Sequence, residues 1–548
     1  MGLSAKEALT KVQAIIIIAI VVVAAIAGIV YYFSLPPPGP SGTLTITDSN
    51  EPRTLHPALA TTRDVESSLF QCVVYETLIV LDAEGNIVPR LAKSYEQPGS
   101  LTYIFHLRSG VKFHDGTPFN ASAVKYNFDW FMGQEAVLNQ EAIRANIIDE
   151  VSVIDENTVK IVLKHRNREF LIFLATWQTI ISPAAIEKYG DEGLARRCVG
   201  TGPFKFVEWV SGDHITIEAF EDYWGESPRI EKVIYNFNAE ESTRVMQLET
   251  GETDMIDVLL PENAKRLKAA GFKEYTIGAP YPYLLWIGGL GSNASFQPTP
   301  ALRDKRVRQA INYAVDRLEL CDKLLEGYGI PAFMPLPPGA KPFYDPDFSI
   351  YSETADLEKA RQLLAEAGYP DGFETSIIVA AAATDRVQAC EVIAEQLAKV
   401  GITLNIEPLS FPVLVERAFA GDWPMILEYH TGPSVFAPYS YLFTQFHSSQ
   451  IGPGMWNLQR IENPTIDQLL GEYLESTTTE QAKEIMDDIN NIIVNEEAYC
   501  VYLYYPKITF MASSKVEGVF LHPDISFWSG FAICVPVLDI NYQLKEEA

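Results

Sequence analysis

The segment Tyr103–Phe128 reads YIFHLRSGVKFHDGTPFNASAVKYNF. With Leu101-Thr102 ahead of it, LTYIFHL alternates apolar and polar residues, the period of a half-buried strand. Gly110 closes the turn after it. Asp115-Gly116 then suits a tight turn in which glycine takes a positive φ. His114 stands in this turn beside Asp115. A lone His-Asp pair with no nucleophile in reach predicts a turn hydrogen bond, not a metal ligand or a catalytic base.

Outward from this segment, strand and helix signals mix. Leu44-Thr45-Ile46-Thr47 alternates as a strand, and Val151–Leu163 reads as a hairpin around the turn residues Asp155-Glu156-Asn157. In Val307–Leu318, the residues Val307, Ala310, Ile311, Ala314, Val315 and Leu318 form one apolar stripe at helical spacing. Asp356 is a predicted N-cap and Gly368 a predicted C-cap for LEKARQLLAEAG. Strands and helices interleave without a strict βαβ rhythm, so the fold class is α/β.

Three ordered segments resemble one family, the family 5 extracellular solute-binding proteins, which include the dipeptide, oligopeptide and nickel receptors of ABC importers. They are Tyr103–Phe128 (strand, turn, helix), Gly200–Ile230 (GTGPFKFVEWVSGDHITIEAFEDYWGESPRI) and Asp304–Arg317 (DKRVRQAINYAVDR) followed by GYGIPA at Gly327–Ala332. The resemblance covers about residue 44 to residue 540. It implies a two-lobed periplasmic-binding-protein-like fold of type II with an extra subdomain in lobe I. Lobe I is expected over 43–285, with the subdomain about 88–200, and returns over 507–548. Lobe II is expected over 286–506. The crossings are expected near Tyr283–Gly288 (YLLWIG) and Tyr499–Tyr505 (YCVYLYY). The implied function is a substrate-binding protein of an ABC importer, which closes two lobes on a linear solute such as an oligopeptide. Its implied partners are that solute and the permease subunits.

Peptide receptors of the family resemble one another in a lobe II segment W-x-x-D-x-x-(D/E)-P, whose first acid receives the ligand's α-ammonium group. The matching stretch is Glu428–Phe443, EYHTGPSVFAPYSYLF. With the prolines aligned at Pro438, Thr431, Ser434 and Ala437 stand where Trp, Asp and the second acid would be. A buried ammonium needs an anion, and Tyr429, Phe436, Tyr439, Tyr441 and Phe443 of this stretch suit sugar rings, so an oligosaccharide receptor of the same importer family is the alternative. A membrane-anchored sensor or surface-interaction protein is the alternative from another class. By position in the family fold, the candidate ligand-binding residues are Glu51, Arg53, Trp286, Trp423, Glu428, Tyr429, His430 and Ser434.

Residues 1–33 give the compartment. Ala14–Phe33 (AIIIIAIVVVAAIAGIVYYF) carries no charge and is long enough to span a hydrocarbon core of about 30 Å as one transmembrane helix. Lys6 and Lys11 precede it, which predicts a cytoplasmic N-terminus and a body outside the cytoplasm. Ala25-Ile26-Ala27 leaves a cleaved signal segment, and a secreted or periplasmic protein, as the alternative. Residues 34–42 (SLPPPGPSG) form a proline-rich linker.

The chain has 548 residues and a formal net charge of −29, which disfavours nucleic-acid partners. Six scattered cysteines make no C-x-x-C pair, so no metal or redox motif is predicted. No G-x-S-x-G or H-E-x-x-H pattern occurs, so no enzyme, catalytic residue or cofactor is expected. Asn120 and Asn293 head glycosylation sequons.

Overall fold

The computed structural model of the chain describes residues 42–56, 73–82, 84–133, 147–176, 178–278, 281–291, 299–429, 437–452 and 454–517. The apolar run Ala14–Phe33 lies outside them. Among the described residues no helix is long and apolar enough to cross a membrane.

Along the chain the strands are β1 (Thr43–Asp48), β2 (Ile79–Leu81), β3 (Ile87–Pro89), β4 (Ala92–Gly99), β5 (Thr102–Leu107), β6 (Ile148–Asp155), β7 (Thr158–Leu163), β8 (Phe204–Val210), β9 (His214–Ala219), β10 (Lys232–Phe237), β11 (Met255–Val258), β12 (Lys273–Gly278), β13 (Tyr283–Ile287), β14 (Gly329–Pro331), β15 (Phe373–Ala380), β16 (Ile402–Leu409), β17 (Met425–Tyr429) and β18 (Cys500–Ala512). The helices are α1 (Ala121–Gly133), α2 (Phe170–Thr176), α3 (Pro183–Leu194), α4 (Glu241–Thr250), α5 (Pro261–Ala269), α6 (Lys305–Ala314), α7 (Arg317–Leu320), α8 (Leu357–Glu366), α9 (Thr384–Ala398), α10 (Phe411–Ala420), α11 (Pro438–Phe446), α12 (Pro464–Glu475) and α13 (Thr479–Asn490).

One long strand joins two sheets. The order is β16-β15-β17-β13-β18-β11-β1-β10-β9-β8. The first half of β18 pairs with β13, from Cys500 opposite Trp286 to Tyr504 opposite Tyr283. Its second half pairs with β12, from Lys507 opposite Gly278 to Ala512 opposite Lys273. β12 thus ends at Gly278 in one half and β13 begins at Tyr283 in the other, and β18 passes between the halves at Tyr505 to Lys507. A separate four-stranded sheet, β4-β5-β7-β6, stands outside this joined sheet and has its own core.

Burial explains why β13 and β18 read as continuous apolar runs. Leu284, Trp286, Cys500 and Tyr502 enter one core of lobe II. Leu285, Ile287, Val501 and Leu503 enter the core on the opposite face. A central strand covered on both faces has no polar side to show. The half-buried β5, by contrast, sends Tyr103, Phe105 and Leu107 into the subdomain core and keeps the alternation that marks it.

The apolar stripe predicted through Leu318 is interrupted. α6 ends at Ala314, Val315 takes an extended conformation, and Asp316 caps α7 by accepting from the Glu319 amide at 2.8 Å. The break turns Leu318 outward, where it is 39% exposed. Arg317 fills the corner, donating to the carbonyls of Asn312, Ala332 and Tyr502. Around α8 the predicted caps hold: Asp356 accepts from the Lys359 amide at 2.9 Å, and Gly368 has a φ of 92°.

Candidate functional site

Strand direction locates the cleft. In lobe I, β1, β10 and β11 are parallel. The C-terminal residue of β11, Val258, pairs with Thr509, closer to the crossing than Met255 opposite Ala512. In lobe II, β15, β16 and β17 are parallel, and Tyr429 at the C-terminus of β17 pairs with Tyr283 at the crossing. Both sheets therefore point their carboxyl ends at the crossing, where open α/β sheets hold ligands.

On the lobe II edge, β15 leads into α9, whose first turn carries Arg386. This guanidinium meets the Glu428 carboxylate at the end of β17 in an ion pair. The two side chains keep 18% and 17% exposure, so the pair lies at a surface and not in the core. Partial burial pushes the Glu428 carboxyl up, and Arg386 offsets part of this. Burial opposes the charge on Arg386 most strongly, but Glu428, Tyr283, Asp385 and Tyr429 together outweigh it and hold the guanidinium charged. Tyrosines flank the pair. Tyr429 stacks on Tyr281 with ring centroids 4.6 Å apart, and the Arg386 guanidinium lies 5.7 Å from the Tyr429 centroid. Tyr283 stacks on Tyr504 at 5.1 Å.

On the lobe I edge, Asp48 accepts from the Asn50 amide at 2.9 Å and from the Ser49 hydroxyl. Buried Arg244 pairs with Asp257 at 2.9 Å and ties down the carbonyls of Asn238 and Ala239. Leu259 and Leu260, just beyond β11, are 73% and 45% exposed. They give this edge an apolar lip. Phe411 and Val413 give one to lobe II, beyond β16.

The structure separates the residues predicted from position. Glu428 and Tyr429 lie on the lobe II edge. Arg53 is exposed on lobe I. Glu51 accepts from the Trp209 indole at 2.7 Å and from the Gly212 amide at 3.0 Å, so its carboxylate secures the β8–β9 hairpin. Trp286 and Trp423 sit in the lobe II core at 4% and 0% exposure, and the Trp423 indole donates to the Ala418 carbonyl. At that burial neither ring presents a surface to a solute. Their size places them in the core, where large aromatics bury the most area. His430 and Ser434 lie outside the described residues, as does Asn293. Asn120 is half-buried and accepts from the Ala123 amide at 3.0 Å, at the start of α1.

Two features of lobe I are structural. His114 accepts from the Gly200 amide and meets the Gly202 carbonyl at 2.8 Å, pinning the Gly200–Pro203 bend to the Asp115-Gly116 turn. Burial lowers its pKa to about 4, so it stays neutral. A Cβ at Gly202 would fall 2.4 Å from the Val73 carbonyl, so only glycine fits there. The described cysteines Cys198, Cys321, Cys390 and Cys500 are buried and free.

Sequence reading missed Arg386, an isolated arginine with no motif around it. The rule that ligands gather at the carboxyl ends of parallel strands would have drawn attention to the residues after Ala380. It also missed a clasp far along the chain, formed by Arg168 and Glu169 of the subdomain against α11 and α12 of lobe II. Glu169 accepts from the Tyr439 amide at 3.0 Å and the Tyr473 hydroxyl at 2.9 Å. Ala437, standing where the family pattern has its second acid, provides no cap for α11. The carboxylate at that helix end comes from Glu169 instead.

Two lobes on crossing strands, with a partly open charge pair at their junction, define a solute-binding receptor. Residues 86–453 match the family model described as bacterial extracellular solute-binding proteins, family 5 Middle. The chain is 30% identical over 479 residues to the glutathione-binding protein GsiB of Pectobacterium atrosepticum, covering 85% of this chain and 90% of the relative. Among solved structures, it resembles the binding protein AgaA of A. tumefaciens R10 in complex with agropinic acid (26% identity, TM-score 0.73, 91% of this chain and 98% of that one). It also resembles the ABC transporter-associated periplasmic binding protein DppA of Helicobacter pylori in complex with the peptide STSA (26% identity, TM-score 0.73, 89% and 96%). The chain belongs to family 5 of the bacterial extracellular solute-binding proteins and is a substrate-binding protein of an ABC importer.

Proposed function

We propose that the chain captures a short peptide or peptide-like zwitterion at the junction of its lobes. The observation that carries this reading is the Arg386–Glu428 pair at the carboxyl edge of the lobe II sheet. A guanidinium presents a donor fork to a ligand carboxylate. Glu428 offers an anion to an ammonium group, in place of the aspartate that Ser434 replaces. Tyr429, Tyr281 and Tyr283 supply ring faces for side chains. Relatives named for glutathione, and one solved with a tetrapeptide, support the same ligand class. An oligosaccharide would use the tyrosines but brings no charged group to the Arg386–Glu428 pair.

Thermal-shift screening of the purified chain tests this, because a ligand that binds only the native state raises Tm. Reduced glutathione and short peptides are expected to raise Tm, and neutral glycans are not. A glycan that raised Tm where no peptide did would reverse the assignment.

The crossing registers support placing the first lobe boundary between Gly278 and Tyr283, a few residues before 285. Lobe II then extends to about 506, lobe I resumes at 507, and the subdomain occupies about 88–200. Ala14–Phe33 is proposed as a membrane anchor that keeps the receptor beside its permease and raises its effective concentration there. The alternative is a signal segment cleaved near Ala27. Intact mass of the cell-derived protein separates them.

A further inference from the structure

Asn167, Arg168 and Glu169 precede α2 in the subdomain, and their partners lie in lobe II. The Arg168 guanidinium donates to the Ser476 hydroxyl at 2.6 Å and the Thr478 carbonyl at 3.1 Å. The Arg168 amide donates to the Leu474 carbonyl at 3.2 Å. The guanidinium also lies 5.0 Å from the Tyr473 ring centroid. Glu169 is buried, and the Asn167 side chain fixes its backbone by accepting from its amide at 2.8 Å. Its carboxylate meets the first turn of α11 at Tyr439 and the hydroxyl of Tyr473 on α12.

A helix N-terminus leaves amides without partners, and a side-chain acceptor there stabilises the helix. Among the described residues α11 has no side-chain acceptor of its own, because Pro438 begins it and Ala437 precedes it. Its cap therefore comes from a different body of the protein. When the lobes part, α11 loses that cap and Tyr473 loses its acceptor.

We propose that Glu169 is a closure latch, a positioning residue that caps α11 of lobe II only while the lobe I subdomain is seated, so that completing this helix and closing the lobes are one event. The latch rests on the reading that the lobes close on a ligand. It adds that the free energy of closing is set partly at this clasp, away from the charge pair at the crossing. The groups facing the Glu169 carboxylate are the Tyr473 hydroxyl, the Tyr439 ring and amide, the Ser440 amide and the Arg168 guanidinium.

The test uses the full chain with reduced glutathione and the peptide Ser-Thr-Ser-Ala as probes. Hydrogen exchange at the first turn of α11 and the radius of gyration from solution scattering are read with and without probe. Glu169→Ala is expected to speed exchange in that turn about ten-fold, the scale of a lost cap. It should also require about ten-fold more probe to reach the compact state, while exchange in β1 and β10 stays unchanged. Glu169→Gln, which keeps an acceptor, is expected to restore both. Equal closure of wild type and Glu169→Ala at the same probe concentration would overturn the latch and leave ligand-driven closure standing. If neither probe compacts the wild type, closure by this ligand class is wrong and the latch falls with it, whatever α11 exchange shows. A Glu169→Ala chain with faster exchange throughout lobe I would make Glu169 a folding residue, which also overturns the proposal.

Discussion

Glu76 and Glu169 are both buried carboxylates of lobe I and its subdomain, but their partners come from different places. Glu76 accepts from Arg90 at 2.7 Å, Tyr223 at 2.9 Å, Trp224 at 2.8 Å and Thr201 at 2.9 Å. All four donors belong to the same lobe. Glu169 accepts from Tyr439 and Tyr473, both in lobe II. A carboxylate satisfied inside one body stabilises that body and reports nothing about the other. One satisfied across a cleft exchanges its protein partners for water whenever the cleft opens. The same chemistry is a structural knot in the first case and a sensor of lobe position in the second.

The contrast is broken most severely at Glu76. Glu76→Ala leaves an arginine and three neutral donors facing an empty acceptor site. It is expected to cost about 3–5 kcal/mol of stability, seen as a large drop in Tm, without changing how compact the surviving folded protein is. A wild-type Tm would mean that the knot is dispensable. Glu169→Ala is expected to cost about 1–2 kcal/mol, the value of a cap, and chiefly in the closed state. Urea unfolding of the ligand-free chain should therefore change less than the probe affinity does. A larger loss in ligand-free stability than in affinity would erase the distinction between the two glutamates.

The pH dependence sharpens it further. Burial raises the Glu169 carboxyl from 4.5 to about 7, against the pull of the Tyr439 amide, the Tyr473 hydroxyl and Arg168. Closing therefore takes up a proton between those values. The latch contributes fully below about pH 4.5 and fades as pH rises through about 7. Probe affinity should fall several-fold between pH 6 and pH 8 in the wild type, and should lose that slope in Glu169→Gln. An identical slope in the variant would assign the titration elsewhere. The smallest effect belongs to Tyr473→Phe, which removes one hydroxyl donor and leaves the helix cap. About 0.5–1.5 kcal/mol is expected, read as a two- to ten-fold loss of probe affinity.

The parts legible in the sequence are those whose cause is local. Thr102–Leu107 shows its strand by alternation, Asp356 and Gly368 show the ends of α8, and Asp115-Gly116 shows its turn. Family resemblance supplied the two lobes. The crossing strand was read only to Tyr505, because Pro506 and Lys507 interrupt the apolar run, although β18 continues to Ala512. The site was less legible. Trp286 and Trp423 were placed by position in the family fold, yet their bulk is spent in the core. Arg386 has no pattern around it. The partners of Glu169 lie 270 and 304 residues away, a distance at which sequence spacing carries no information.

If Arg386 holds a zwitterionic ligand at the crossing, removing its guanidinium must weaken binding. Calorimetric titration of the full chain with Ser-Thr-Ser-Ala and with reduced glutathione, in wild type and Arg386→Ala, tests it most directly. At least one of the two is predicted to bind the wild type and to bind Arg386→Ala about a hundred-fold more weakly, the scale of a lost charged hydrogen-bond pair. Equal affinity in the two proteins, or no binding of either compound by the wild type, would contradict it.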